Sequence, residues 1–144
     1  MTERRSSVQM VMLTAPEPRK AAAFYVEHLG FRMLDAEDDE ESTVEGFGMH
    51  VVIERGAGGA HTSPPARERV VAEIPSTTAR IDAVWDRDRE QHPDVAGPML
   101  EASGSFVYVT VDPAGNAIAL VAPLPTDASM TADRVTQRIE RPKL

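Results

Sequence analysis

The sequence predicts an α+β fold of two tandem βαβββ modules whose mixed sheets curve around a cavity. Three observations carry that prediction. The order strand, helix, three strands occurs twice; a stretch rich in Gly, Pro and Ala separates the two copies; and the 144 residues suffice for one domain with a real core. A unit of this kind puts its helix on one face of its sheet and leaves the other face free to curve.

In the first module, Val8 to Thr14 is short, apolar and bounded by Ala15-Pro16-Glu17-Pro18, the pattern of a buried strand ending in a turn. Residues 18 to 29 predict a helix, with Pro18 at its start, Ala21, Phe24, Tyr25 and Leu29 at helical spacing, and Gly30 as its stop. Phe31 to Ala36, Ser42 to Phe47 and Met49 to Glu54 are strand-length runs between acidic or glycine-containing turns. Module one therefore covers 8–54, and Arg55 to Glu68 is read as a linker. Module two covers 69–122: a strand at Arg69 to Ile74, a helix opened by Pro75-Ser76-Thr77-Thr78 and running to about Glu90, and strands at Pro98 to Ala102, Ser105 to Val111 and Asn116 to Ala122. Residues 123–144 form a polar tail with a helical pattern around Thr131 to Glu140, expected to lie loosely on the surface or on a partner chain.

Charge narrows the function. The net charge is −8, and no basic stripe is visible, which argues against nucleic acid. Seven acids and no base fall between Asp35 and Glu45, so the acidity is local: either a solvated loop or a field that draws in a cationic ligand. No apolar run reaches membrane-helix length and no secretory pattern opens the chain, so a cytoplasmic protein is expected. The absence of cysteine excludes disulfides, thiolate metal sites and cysteine nucleophiles.

Two stretches carry a family resemblance. Ala23-Phe24-Tyr25-Val26-Glu27-His28-Leu29-Gly30-Phe31 resembles the FYxxxLGF signature of the vicinal oxygen chelate superfamily, which groups glyoxalases, bleomycin-resistance proteins and dioxygenases. Val111-Asp112-Pro113-Ala114-Gly115-Asn116-Ala117-Ile118-Ala119-Leu120 resembles its DPxGNxIEL turn and last strand. The resemblance spans residues 8 to 122 and implies a glyoxalase/bleomycin-resistance-like fold. It also implies one divalent ion in the cavity of its enzymes, held from the first and last strand of each module. The matching positions here are Met10, Val52, a residue near Val70, and Ala119, all poor ligands for a hard or borderline cation. No metal, no cofactor and no catalytic residue are therefore expected. His28, His50, His61 and His92 are scattered, and only His50 shares the parity of Val52.

Parity gives a provisional lining. With Met10, Val52 and Ala119 facing the cavity, Met12, Thr14, His50, Glu54 and Ala117 face it too. Giving the valines of Phe106 to Val111 to the helices leaves Phe106 and Tyr108 for the cavity, joined by Glu45 and Phe47, with Met99 near the rim. The expected ligand-binding set is Met10, Met12, Phe47, His50, Val52, Glu54, Met99, Phe106, Tyr108 and Ala119. Methionines and aromatics beside an acidic edge suit a planar, partly cationic small molecule.

The resemblance is nearest to the metal-free bleomycin-resistance branch, and implies a homodimeric protein that sequesters an antibiotic. The alternative is a lyase, isomerase, thiol transferase or dioxygenase of the same superfamily, with His50 or Glu54 as base and Tyr108 as acid. A third reading, a domain working through protein contacts, applies if the cavity is filled.

Overall fold

The computed structural model describes residues 9–36 and 39–123, so the predicted helix at 131–140 lies outside the described residues. The chain divides into two compact units, 1–59 and 60–144.

Unit one contains β1 (Gln9–Ala15), α1 (Pro18–Leu29), β2 (Arg32–Asp35), β3 (Glu41–Gly46) and β4 (Met49–Arg55), its strands forming sheet A in the order β1-β4-β3-β2, as those of unit two form sheet B. Only the β1 to β4 contact is parallel. Pro18 supplies a preset φ and a missing N–H where the helix has orphan donors anyway. Gly30 ends α1 in the left-handed region at φ 87°, its N–H returning to the Tyr25 carbonyl. Leu13, Ala15, Val44, Val51 and Ile53 are buried and form the helix-facing side of sheet A, against Ala21, Phe24, Tyr25 and Leu29 of α1. The aromatics continue this core in edge-to-face pairs: Phe24 with Tyr25 at 5.5 Å and Tyr25 with Phe31 at 6.0 Å.

Unit two repeats the plan with β5 (Ala72–Pro75), α2 (Thr78–Gln91), β6 (Met99–Leu100), β7 (Ser105–Val111) and β8 (Ala117–Pro123), in sheet order β5-β8-β7-β6. Thr77 caps α2, its Oγ1 accepting from the Arg80 N–H. Ile81, Val84, Trp85 and Asp88 recur at i, i+3, i+4 and i+7 and are all buried. The predicted strand at Arg69 to Ile74 is shorter than expected. Arg67–Arg69 instead forms a 3-10 turn, and β5 begins at Ala72.

The ladder registers of the two units correspond. Met10 partners His50 and Met12 partners Val52 in sheet A; Val71 donates to the Ala117 carbonyl and Glu73 partners Ala119 in sheet B. On this register Met10 corresponds to Val71 and Met12 to Glu73. The position placed near Val70 is therefore one residue off, and in a strand one residue is the difference between the two faces.

Candidate functional site

The face of sheet A turned away from α1 is the surface where the predicted residues gather. Leu13 and Ala15 of β1 and Met49, Val51 and Ile53 of β4 enter the core, so the even-numbered side chains of these strands point the other way. Cross-strand partners share a face and define three rows: Met10, His50, Glu45 and Arg32; Met12, Val52 and Thr43; Thr14, Glu54 and Glu41. Five predicted residues, Met10, Met12, His50, Val52 and Glu54, thus lie side by side. Met10 is 58% exposed and Met12 54%, far more than methionines at core positions. Val52 is buried between its neighbours.

Charge on this face is organised. Arg32 pairs with Glu45, whose other oxygen lies 3.5 Å from His50 Nε2. Glu54 and Glu41 are direct cross-strand neighbours, an arrangement of like charges that does not help the sheet. At the end of the first row a hollow of about 390 Å³ opens beside Arg32, Glu45 and His50, with Gly46, Gly48 and Met49 around it. The acidic stretch is not a bare field. Arg55 donates to Glu40 at 2.9 Å and to the Asp39 carbonyl at 2.8 Å, and Arg19 lies 3.5 Å from Asp39.

Phe47 does not join this face. It occupies the β3 to β4 turn at φ 55°, and its ring packs edge-on against Phe31 at 5.4 Å, extending the helix-side core. Sheet B brings a larger correction. Tyr108 and Phe106 are buried on the α2 side, because the Tyr108 hydroxyl donates to Asp88 of α2 at 2.8 Å and Thr110, two residues on, donates to the same carboxylate oxygen at 2.7 Å. The face of sheet B turned away from α2, its open face in the sense that no helix covers it, instead holds Val107, Val109, Val111, Ala117, Ala119 and Val121, of which Val107, Ala117 and Ala119 are buried, with Glu73 on one edge strand and Met99 on the other. Met99 and Ala119 thus share the face turned away from α2, where Met99 is exposed and Ala119 is buried.

Tyr108 is consequently unsuited to serve as an acid on the open face. Burial above all, then the facing Asp88 carboxylate, pushes its phenol well above the ordinary tyrosine range. A raised folded-state value stabilises the protein up to the unfolded pKa of about 10; above that pH the unfolded chain releases the proton while the native phenol keeps it. Stability is therefore expected to fall as pH rises past about 10, by up to about 1.4 kcal/mol per pH unit from this group. Urea denaturation of wild type and Tyr108→Phe between pH 8 and 11 checks this: the variant should lack that part of the alkaline loss.

The family-type metal positions are poor in donor atoms. Met10, Val52, Ala119 and the corrected position Val71 offer one thioether and three hydrocarbons, which do not suit a divalent ion requiring carboxylate or imidazole. Among the described residues no three His, Asp or Glu side chains are grouped to hold a metal.

Sequence reasoning missed Asp88, although its place at i+7 from Ile81 and at i+3 from Trp85 puts it on the buried stripe of α2. It also missed Arg67, which Glu73 and Glu101 hold by hydrogen bonds of 2.7 and 3.0 Å. The facing carboxylates, Glu73 foremost and against the opposing effect of burial, raise the guanidinium pKa further above its ordinary value. His61 and His92, apparently dispersed, line one hollow of about 360 Å³ with Asp88 and Asp112. Both carboxylates there are already engaged by hydroxyl or backbone donors of the chain.

The family described as Glyoxalase/Bleomycin resistance protein/Dioxygenase superfamily matches residues 7–120. No curated protein matches the chain. Among solved structures, a lactoylglutathione lyase from Agrobacterium tumefaciens is 17% identical with a TM-score of 0.56, over 83% of this chain and 95% of that one. A glyoxalase/bleomycin resistance protein/dioxygenase from Alicyclobacillus acidocaldarius is 16% identical with a TM-score of 0.58, over 89% and 98%. TioX from Micromonospora sp. ML1 is 19% identical with a TM-score of 0.56, over 82% and 99%. At these identities the likeness is one of fold. No helix among the described residues is long and apolar enough to cross a membrane.

Proposed function

The chain belongs to the Glyoxalase/Bleomycin resistance protein/Dioxygenase superfamily, and from that premise we propose that it is a metal-free small-molecule binding protein that sequesters an aromatic or cationic compound such as an antibiotic. The observation that carries the reading is the open face of sheet A. Exposed Met10 and Met12 lie beside Val52, with His50 and Glu54 as polar neighbours. Thioethers adapt to flat rings, imidazole stacks on them, and the carboxylates of Glu41, Glu45 and Glu54 favour a positive group over a negative one. Sequestration needs tight binding and no bond making, so a surface whose family-type metal positions hold a thioether and hydrocarbons is adequate to it. A homodimer belongs to the same proposal, because among the described residues β1 and β2 are the edge strands of sheet A and a second chain is a natural cover for one of them.

The test uses the aromatic diamidine dye DAPI and a neutral aromatic of similar size. The dication is expected to bind and the neutral compound to bind at least about tenfold more weakly. Met12→Lys, a change at an exposed position, is expected to weaken DAPI binding by about tenfold or more by placing a like charge on the face. Equal affinity for both probes, or no effect of Met12→Lys, overturns the reading.

A further inference from the structure

Unit two supplies its own open face with a cation. Arg67 Nη2 donates to Glu73 Oε2 at 2.7 Å, and Arg67 Nε donates to Glu101 Oε2 at 3.0 Å. Glu73 belongs to β5, one edge of sheet B, where it partners Ala119 on the open face. Glu101 directly follows β6, the opposite edge, and its backbone N–H donates to the Ser105 carbonyl. The two edges of a four-stranded sheet stand about 14 Å apart, three spacings of roughly 4.8 Å. The other face is taken by α2, with Ile74, Leu120, Phe106 and Tyr108 buried beneath it. The guanidinium therefore joins the edges across the open side. The segment that carries it is fixed at both ends: His61 N–H donates to the Gly115 carbonyl and Val71 N–H to the Ala117 carbonyl.

Among the described residues the corresponding face of sheet A has no such strap. Its register equivalents of Glu73 and Ala119 are Met12 and Val52, and its arginine, Arg32, stays on the edge strand with Glu45. Among the described residues, one module leaves its face without a side-chain strap and the other crosses its own with Arg67.

We propose that Arg67 is an intramolecular occupant of a second binding face: its guanidinium sits between Glu73 and Glu101 where a guanidinium or amidinium group of a small molecule binds once segment 61–70 lifts. The proposal rests on reading the open faces as ligand surfaces. The chemistry is that of the resident group, since a planar cation with several N–H donors engages carboxylate oxygens directionally in a way a simple ammonium does not. The tethered arginine competes with any free ligand, so apparent affinity is reduced by the fraction of time the strap is open.

DAPI titrations of the full chain test this. In Arg67→Ala an additional DAPI per chain is expected to bind, with a dissociation constant about 10- to 100-fold below that of any second event in wild type, as expected for removing a plug open 1 to 10% of the time. Adding Glu73→Gln and Glu101→Gln to Arg67→Ala should abolish the gained event. Unchanged stoichiometry and affinity in Arg67→Ala, or a gained event that survives loss of both carboxylates, overturns the proposal. If Arg67→Ala fails to fold, the Glu73→Gln/Glu101→Gln double variant with Arg67 intact is measured by amide hydrogen exchange. Faster exchange across 66–71 supports the strap, and unchanged exchange overturns it. The Met12→Lys background separates the two readings. A gained event that persists there while wild-type binding never occurred would sink the sheet A reading and keep this one.

Discussion

Replacing Asp88 with alanine is expected to destabilise the protein by about 3–5 kcal/mol, enough to lower the melting temperature by roughly 10–20 °C. The carboxylate is buried on α2 and accepts from Tyr108 at 2.8 Å and Thr110 at 2.7 Å, with Arg87 at 3.2 Å. Hydrogen bonds to a charged acceptor contribute about 1.5–3 kcal/mol each, and truncation strands the hydroxyls of two buried residues. Asp88→Asn keeps an oxygen acceptor of the same shape and should cost about half as much. Differential scanning calorimetry on both variants decides the matter: a shift under about 3 °C for Asp88→Ala would mean the hydroxyls find other partners. The pair also fixes which way β7 faces, so the damage should appear as lost near-ultraviolet signal as well as lower melting temperature.

Phe31→Ala is expected to cost about 3–4 kcal/mol, measured as a fall in the urea midpoint. The ring is buried, meets Tyr25 edge-on at 6.0 Å and Phe47 at 5.4 Å, and lies so close to Gly46 that a Cβ added there would approach it to 3.2 Å. Its removal leaves a cavity among rings that cannot collapse together, because Tyr25 is held by α1 and Phe47 by a tight turn. Phe47→Ala, at a half-exposed position, should cost about 1 kcal/mol or less. Comparable losses from the two variants would contradict the view that Phe47 merely covers Phe31.

Particular residues explain what was legible in the sequence. The order of elements, the helix ends at Pro18 and Gly30, and the open face of sheet A followed from periodicity and from glycine and proline chemistry. In β1 and β4 the parity is unambiguous, since the other choice would put Glu54 and His50 under the helix. In β7 it is not. Every residue from Phe106 to Val111 is apolar or weakly polar, so both faces can be buried and alternation gives no vote. The face was decided by Asp88, on another element, through hydroxyls at i and i+2 of the strand. Phe47 was misplaced for a different reason, because a residue at positive φ in a turn leaves the alternation of its strand. Arg67 was invisible because a long flexible side chain in an irregular segment carries no periodicity. Its partners are far apart in sequence and near only once the sheet forms.

The parallel contact at one edge of each sheet has a consequence for synthesis. Gln9 waits for Met49 and Ala72 for Ile118, since β1 and β5 each have one ladder neighbour and it is the last strand of the same module. Every module is thus a closed circuit in time. On the ribosome its opening strand remains without a partner until its closing strand emerges, and during that interval an edge bearing Met10 and Met12 is open to wrong pairing. A ribosomal pause once residue 55 has left the exit tunnel would let the first circuit close before the second begins. The same duplication that builds two faces therefore splits assembly into two successive, separately vulnerable steps.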